Sequence, residues 1–93
     1  MNIIQSRSFA RKVKKFTGPR KQQLDAEIRK IRDNPASGTE KKGDLRGVFV
    51  HTFTIHRLQY LLAYRVDTEN LELIMIGPHE NYYRDLKSYL EAR

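Results

Sequence analysis

The chain has 93 residues, no cysteine, 18 Lys/Arg against 11 Asp/Glu, and a formal net charge of +7. That length allows one domain, residues 1–93, with one modest core; 39% hydrophobic and 31% charged residues exclude a disordered chain, and the absence of cysteine excludes disulfides and thiolate metal sites. No apolar run reaches membrane length, and in MNIIQSRSFARKVKKF the basic residues follow a very short apolar patch, the wrong order for a secretory signal, so the expected location is the cytoplasm. The charge is uneven: residues 1–46 carry 13 Lys/Arg and 5 Asp/Glu, a net of +8, whereas residues 47–93 carry 5 and 6, a net of −1. The first half therefore offers a field for a polyanion, one that RNA, DNA, an anionic membrane or an acidic protein would each feel.

Residues 2–5 are apolar at their centre and form a candidate first strand. Ser6 or Ser8 caps a helix running to about Phe16, because Phe9, Val13 and Phe16 recur at helical spacing. Thr17-Gly18-Pro19 breaks it; Thr17 caps the next helix and Pro19 suits its first turn. Leu24, Ile28 and Ile31 then recur at i, i+4 and i+7 and face a core, with Arg20, Lys21, Arg29, Lys30 and Arg32 on or near the opposite faces. Asn34-Pro35 ends this helix. Residues 36–43 form a polar loop that leads into Asp44-Leu45-Arg46-Gly47.

After that loop the period changes. Residues 48–55 are rich in β-branched and aromatic side chains, as a strand requires. His56-Arg57 marks a hairpin tip. Residues 58–66 are apolar on both faces and hence central in a sheet. Residues 67–70 turn, residues 71–76 make a third run, and residues 81–92 make a last helix with Tyr82, Leu86, Tyr89 and Leu90 as its apolar stripe. The order β-α-α-β-β-β-α is an α+β fold: two N-terminal helices cover one face of a mainly antiparallel sheet of about four strands. The other face stays partly open, and the C-terminal helix lies at its edge.

Chemistry-bearing residues gather where the last strand ends, in LELIMIGPHENYYRDLKSYL, residues 71–90. A strand is a rigid mount, and His79 at its exit is a group that moves protons either way; the bland alternative is a histidine that caps the last helix. Tyr82 and Tyr83 point about 100° apart on a helix. Tyr82 shares the apolar stripe; Tyr83 either packs in its turn or stacks on a base or bonds a phosphate. Arg65 alternates with Leu62, Tyr64 and Val66; it either meets a phosphate on the open face with a two-pronged donor or pairs with Glu72 across the strands. Arg46 is a further phosphate candidate, with Asp44 close to it. His51 shares its face with Phe49 and Phe53, as a packed residue or, if that face is open, as a second acid/base group. The three histidines lack helix-type metal spacing, so neither metal nor cofactor is expected.

The runs KKGDLRGVFVHTF, LQYLLAYRV and LELIMIGPHENYYRDLKSYL, taken in order, resemble the RelE/ParE superfamily of toxins from bacterial type II toxin–antitoxin pairs. The similarity covers nearly the whole chain in element order and is closest from Lys41 onward. Gly43-Asp44-Leu45-Arg46-Gly47 is similar to the family's loop before the second strand, and Gly77-Pro78-His79 to the Gly-x-His pattern of several ribosome-dependent members. The resemblance implies a RelE-like fold and one of two activities: RelE-, YoeB- and YafQ-like members cut mRNA in the ribosomal decoding site, whereas ParE-like members poison DNA gyrase without cutting anything. His79 matches a catalytic histidine of YafQ-like enzymes, and YoeB-like members set a tyrosine beside their terminal histidine, as Tyr83 lies near His79 here. In one respect the chain departs from the pattern. Ribosome-dependent RelE relatives carry a catalytic arginine in the strand that here reads Tyr60-Leu61-Leu62-Ala63-Tyr64, and Leu61 occupies its position. The phosphate cation then has to come from Arg65, Arg46 or the lysines of the first half.

The expected activity is that of a ribosome-dependent mRNA endoribonuclease using metal-free acid/base cleavage, with His79, Tyr83, Arg65 and His51 as catalytic candidates. Lys12, Lys14, Lys15, Arg20, Lys21 and Arg46 would hold RNA phosphates, since such contacts position a complex without specifying sequence. The expected partners are the ribosome, mRNA and a cognate antitoxin that folds on binding and through which copies could assemble. The competing readings are a ParE-like gyrase poison, which has no need of His79, and a basic nucleic-acid-binding domain without toxicity.

Overall fold

At Ser6 the chain leaves its first strand for its first helix. Strand β1 (Asn2–Gln5) ends there, and the Ser6 hydroxyl accepts a bond from the Phe9 N–H at 3.0 Å, capping helix α1 (Arg7–Val13). The same hydroxyl donates to the carbonyl of Ile74, so the cap also fastens α1 to the sheet. These contacts come from a computed structural model that describes residues 1–92 and, for Asp44, the backbone alone. Helix α1 is shorter than its apolar spacing suggested. It stops at Val13, and Phe16 reaches the core from the connection that follows.

Helix α2 (Gly18–Asp33) carries Pro19 in its first turn and buries Leu24 and Ile31, with Ile28 packed beside them. The polar loop after it holds a 3-10 turn (Pro35–Ser37), a two-residue strand β2 (Thr39–Glu40) and a second 3-10 turn (Gly43–Leu45). Strands β3 (Phe49–Ile55), β4 (Leu58–Val66) and β5 (Asn70–Pro78) follow, and helix α3 (Tyr82–Glu91) ends the described chain. The β3–β4 hairpin closes on two residues, His56 (φ 50°) and Arg57 (φ 69°). Both positive φ values match the twist of the flanking strands, as tight hairpins require.

The sheet has five strands in the order β1-β5-β4-β3-β2, one more than expected because β2 is too short to read from composition. Strand β1 runs parallel to β5 and the other pairs are antiparallel. Strand β4 is central, as its doubly apolar run foretold, with Tyr60 through Tyr64 all buried. Helices α1 and α2 cover the face that carries Phe53, Ile55, Tyr60, Leu62, Tyr64, Leu71 and Leu73. Tyr64 extends beyond that core: its hydroxyl donates to the carbonyl of Pro35 and accepts the Gly38 N–H at 3.1 Å, tying the polar loop to the central strand. A side chain on Gly38 would begin 2.5 Å from that hydroxyl, so the tie depends on glycine.

The second face stays partly open, as expected, at the end where Ile4, Arg65 and Glu72 line a groove, but the rest of it is covered. Helix α3 lies over it, and Tyr82 and Leu86 are buried against Val48, Val50, Leu61, Ala63, Ile74 and Met75. The covering is fixed at a β-bulge: Ala63 pairs with Met75 but Tyr64 pairs with Leu73, so Ile74 is an extra residue in β5. The Tyr82 hydroxyl enters the gap, accepting the Ala63 N–H at 2.9 Å and donating to the Met75 carbonyl at 2.6 Å. Burial pushes the phenol pKa far upward, so the group stays a neutral donor. Replacing Tyr82 by Phe leaves that N–H and carbonyl buried without a partner. The variant should fold but lose about 1–3 kcal/mol, read as a lower urea midpoint at unchanged m-value; an unmoved midpoint would show that the bulge stands without the phenol.

Candidate nucleic-acid interface

Strand β5 ends at Pro78, paired with Tyr60, and the chain then turns sharply. The His79 N–H donates to the Gln59 carbonyl and the His79 carbonyl accepts the Tyr82 N–H, each at 3.3 Å. Asn81, at φ 60°, closes the turn in the left-handed region, and α3 starts one residue later than expected, at Tyr82. The backbone of His79 is thus held from both sides while its imidazole is exposed. A proton-transfer group on a fixed backbone, open to a bound molecule, is the arrangement acid/base chemistry needs.

Tyr83 is half-buried. Its ring meets Tyr82 edge-on at 5.7 Å between centroids, and the Lys41 ammonium lies 4.8 Å from the centre of its ring. Lys41 also lines a hollow of about 330 Å³ with Glu40, Lys42, Gly43 and Arg46. Arg46, read from sequence as a phosphate ligand, is therefore grouped with two lysines beside Tyr83; the Asp44 side chain expected near it lies outside the described residues. Lys41 and Lys42 escaped notice in the sequence because only the fold brings their loop against α3.

Two candidates stand apart from this exit. Arg65 lies five residues along β4 from Tyr60, the partner of Pro78, which is about 17 Å at strand rise. It faces its cross-strand neighbour Glu72 across a groove of about 400 Å³, together with Ile4, Gly47, Asp67 and Asn70. His51 is on the other side of the sheet, turned toward α2: its Nε2 is 2.8 Å from Glu27 Oε1 and its ring stacks on Phe53 at 5.8 Å. A strand's alternation decided both positions, and His51 took the packed role because the face it shares with Phe49 and Phe53 is the helix-covered one. Neither side chain shares a site with His79.

The basic residues of the first half also divide. Arg20 is structural, donating to the Tyr60 hydroxyl at 2.8 Å and lying 5.0 Å above the Phe16 ring. Lys21 is paired with Asp25 at 2.6 Å, and Lys14 is an exposed residue at the end of α1. Lys12 and Lys15, with Ser8, Arg11 and Tyr89, line a cleft of about 280 Å³ between α1 and α3. Ser8, Arg11 and Tyr89 were missed as site residues. Their signal was present, because Ser8, Arg11, Lys12 and Lys15 recur at i, i+3, i+4 and i+7, a polar stripe on the same period as the apolar one.

Residues 3–87 match a family model described as ParE-like toxin of type II bacterial toxin–antitoxin system. The chain belongs to this family. Among solved structures, the toxin's fold is similar to a YoeB/ParE toxin from Agrobacterium tumefaciens (TM-score 0.71, 23% identity, 85% of this chain and 99% of that one). It is also similar to a chain of the intact E. coli RelBE toxin–antitoxin complex (TM-score 0.66, 16% identity, 85% and 96%). At these identities the likeness is one of fold. The search of curated proteins gives no match. Leu61, at the position where the resemblance implies an arginine, is 2% exposed beneath α3.

The His51–Glu27 contact makes a stability prediction for the toxin. Partial burial raises the Glu27 carboxyl, but the bonds from His51 and Lys30 together outweigh it and hold its pKa below the ordinary value. A depressed carboxylate pKa stabilises the fold above the unfolded pKa and stops doing so as pH falls through the folded one. Glu27→Gln should therefore cost about 1 kcal/mol at neutral pH. The difference from wild type should shrink below roughly pH 4, checked by denaturation series across pH; a pH-independent difference would remove the carboxylate's role.

Proposed function

We propose that this toxin is a ribosome-dependent mRNA endoribonuclease that stops translation, restrained by a cognate antitoxin. The exposed imidazole of His79 at the fixed exit of β5 carries this reading. RNA cleavage needs no metal: the 2′-oxygen attacks the adjacent phosphorus, its proton leaves to a base, and the 5′-oxygen departs with a proton from an acid. The products are a 2′,3′-cyclic phosphate and a 5′-hydroxyl. His79 takes one of the two proton-transfer roles. Tyr83, with Lys41 over its ring, bonds or stacks on the strand, and the cations of the adjoining loop offset charge on the phosphorane. The antitoxin would be a segment that orders on the basic surface; the RelBE neighbour was itself solved as a toxin–antitoxin complex. No helix among the described residues is long and apolar enough to cross a membrane, and the toxin's work on ribosomes would be done in the cytoplasm.

A gyrase-poisoning toxin without catalysis is the second reading, and buried Leu61 favours it, since no guanidinium is mounted on β4 near His79. The two separate on one variant. On the nuclease reading His79→Ala lowers cleavage by about 10²–10⁴-fold, relieves growth arrest, and abolishes new mRNA ends within translated codons when transcripts are mapped during induction. Growth arrest that survives the substitution, with intact transcripts and broken chromosomes, would pass the case to gyrase.

A further inference from the structure

Helices α1 and α2 differ in how their charges are answered. On α2, Lys21 lies 2.6 Å from Asp25, Lys30 2.9 Å from Glu27 and Arg32 3.1 Å from Asp33. The first 24 residues, by contrast, hold seven Lys/Arg and no acid, Asp25 being the first in the chain. Among the described residues, no carboxylate comes within 4.0 Å of Arg11, Lys12 or Lys15. These three line the α1–α3 cleft with Ser8 and Tyr89, and that lining includes no acid. Like charges brought together without a counter-charge repel, and a bound anion removes that repulsion.

The contents of the cleft narrow the choice of anion. The Arg11 fork, two ammonium groups and the Ser8 hydroxyl are phosphate donors, and Tyr89 closes the cleft on the α3 side. The walls are α1 with the turn after it and α3, so an extended acidic peptide would find no strand edge to pair with. The cleft also opens on the proposed reaction site: the Lys12 ammonium lies 3.9 Å from where a side chain on Gly77 would begin, two residues before His79. We propose that the cleft binds a backbone phosphate of single-stranded RNA, and that Arg11, Lys12 and Lys15 position the strand so that a linkage further along it reaches His79. The nuclease reading supplies the identity of the strand; the geometry supplies the site.

The test separates binding from cutting. Toxin carrying His79→Ala is titrated with a short fluorescein-labelled single-stranded RNA and followed by anisotropy at several salt concentrations. Adding Arg11→Gln and Lys15→Gln should weaken binding at least ~10-fold and flatten the slope of log affinity against log salt by about 1.4, as two lost phosphate contacts on a single strand require. The control pair Lys21→Gln and Arg32→Gln removes the same charge from α2, where carboxylates already answer it, and should shift affinity less than about 2-fold. Equal losses in both pairs, or an unchanged slope in the cleft variant, overturn the site. Should the double variant fail to fold, Lys12→Gln against Lys12→Arg decides instead: loss in the first with retention in the second supports the site, and equal behaviour overturns it. Uncut transcripts with cleft-dependent RNA affinity would keep the site and drop the nuclease; cut transcripts with unmoved affinity would do the reverse.

Discussion

One phenol hydroxyl holds the second layer of this molecule in place. The extra residue Ile74 breaks the β4–β5 ladder, and buried backbone groups left there without partners would be expensive. Tyr82 fills the gap with a bond to each strand. Because Tyr82 is also the first residue of α3, the bulge fixes where that helix begins, and so fixes the three-residue turn that carries His79. Gly77 lies beside the Tyr82 ring, 3.5 Å from where a side chain would start, an ordinary packing distance. The position of a candidate catalytic group thus follows from a packing event inside the sheet.

The same architecture sorts the charges. Helix α2 pairs Lys21, Lys30 and Arg32 with its own carboxylates and is tied to the sheet through Glu27–His51 and Arg20–Tyr60, so most of its charge serves structure. Two hollows gather cations from outside that helix, the second beside Glu40. One holds Arg11, Lys12 and Lys15 beside Tyr89; the other holds Lys41, Lys42 and Arg46 in the loop whose Lys41 caps the Tyr83 ring. Six residues at about 100° each set Tyr83 and Tyr89 about 120° apart around α3. Positive charge therefore flanks the last helix on two sides, with His79 at its start. A net charge of +7 gains functional content only through this placement.

The fold was legible wherever the chain repeats. Apolar residues at helical spacing marked α1 and α2, the doubly apolar run marked the central strand, and His56-Arg57 marked a hairpin whose turn is two residues long. What stayed hidden depends on contacts between distant segments. Nothing local reveals that Thr39–Glu40 pairs with β3, that α3 crosses the second face, or that Glu27 meets His51 across 24 positions. The candidate site divides along the same line. His79 at a strand exit could be read from its neighbours, because Gly77-Pro78 closes the apolar run, although both residues still pair in β5. The separation of Arg65 and His51 from it could not, because alternation assigns faces only once the covered face is known. The stripe Ser8, Arg11, Lys12 and Lys15 was readable in principle, since the period that finds a core also finds a polar seam.

Leu61 shows how the toxin's charge is apportioned. It sits across the strand from Gly77, buried under α3, and a guanidinium there would be desolvated beside Tyr82 with little room to pair. The cations near the exit come instead from long side chains on α1 and on the loop before β3, reaching in from the rims of α3. A flexible ammonium holds a phosphate as a point charge, whereas a strand-mounted guanidinium grips it in a fixed plane. Catalysis is sensitive to displacements of about 1 Å, and electrostatic binding is far more forgiving. On the proposed nuclease reading, exchanging the rigid cation for mobile ones would keep most of the affinity while loosening the geometry at the reacting linkage, and the fold would commit more of its charge to holding a polyanion than to polarising one bond of it.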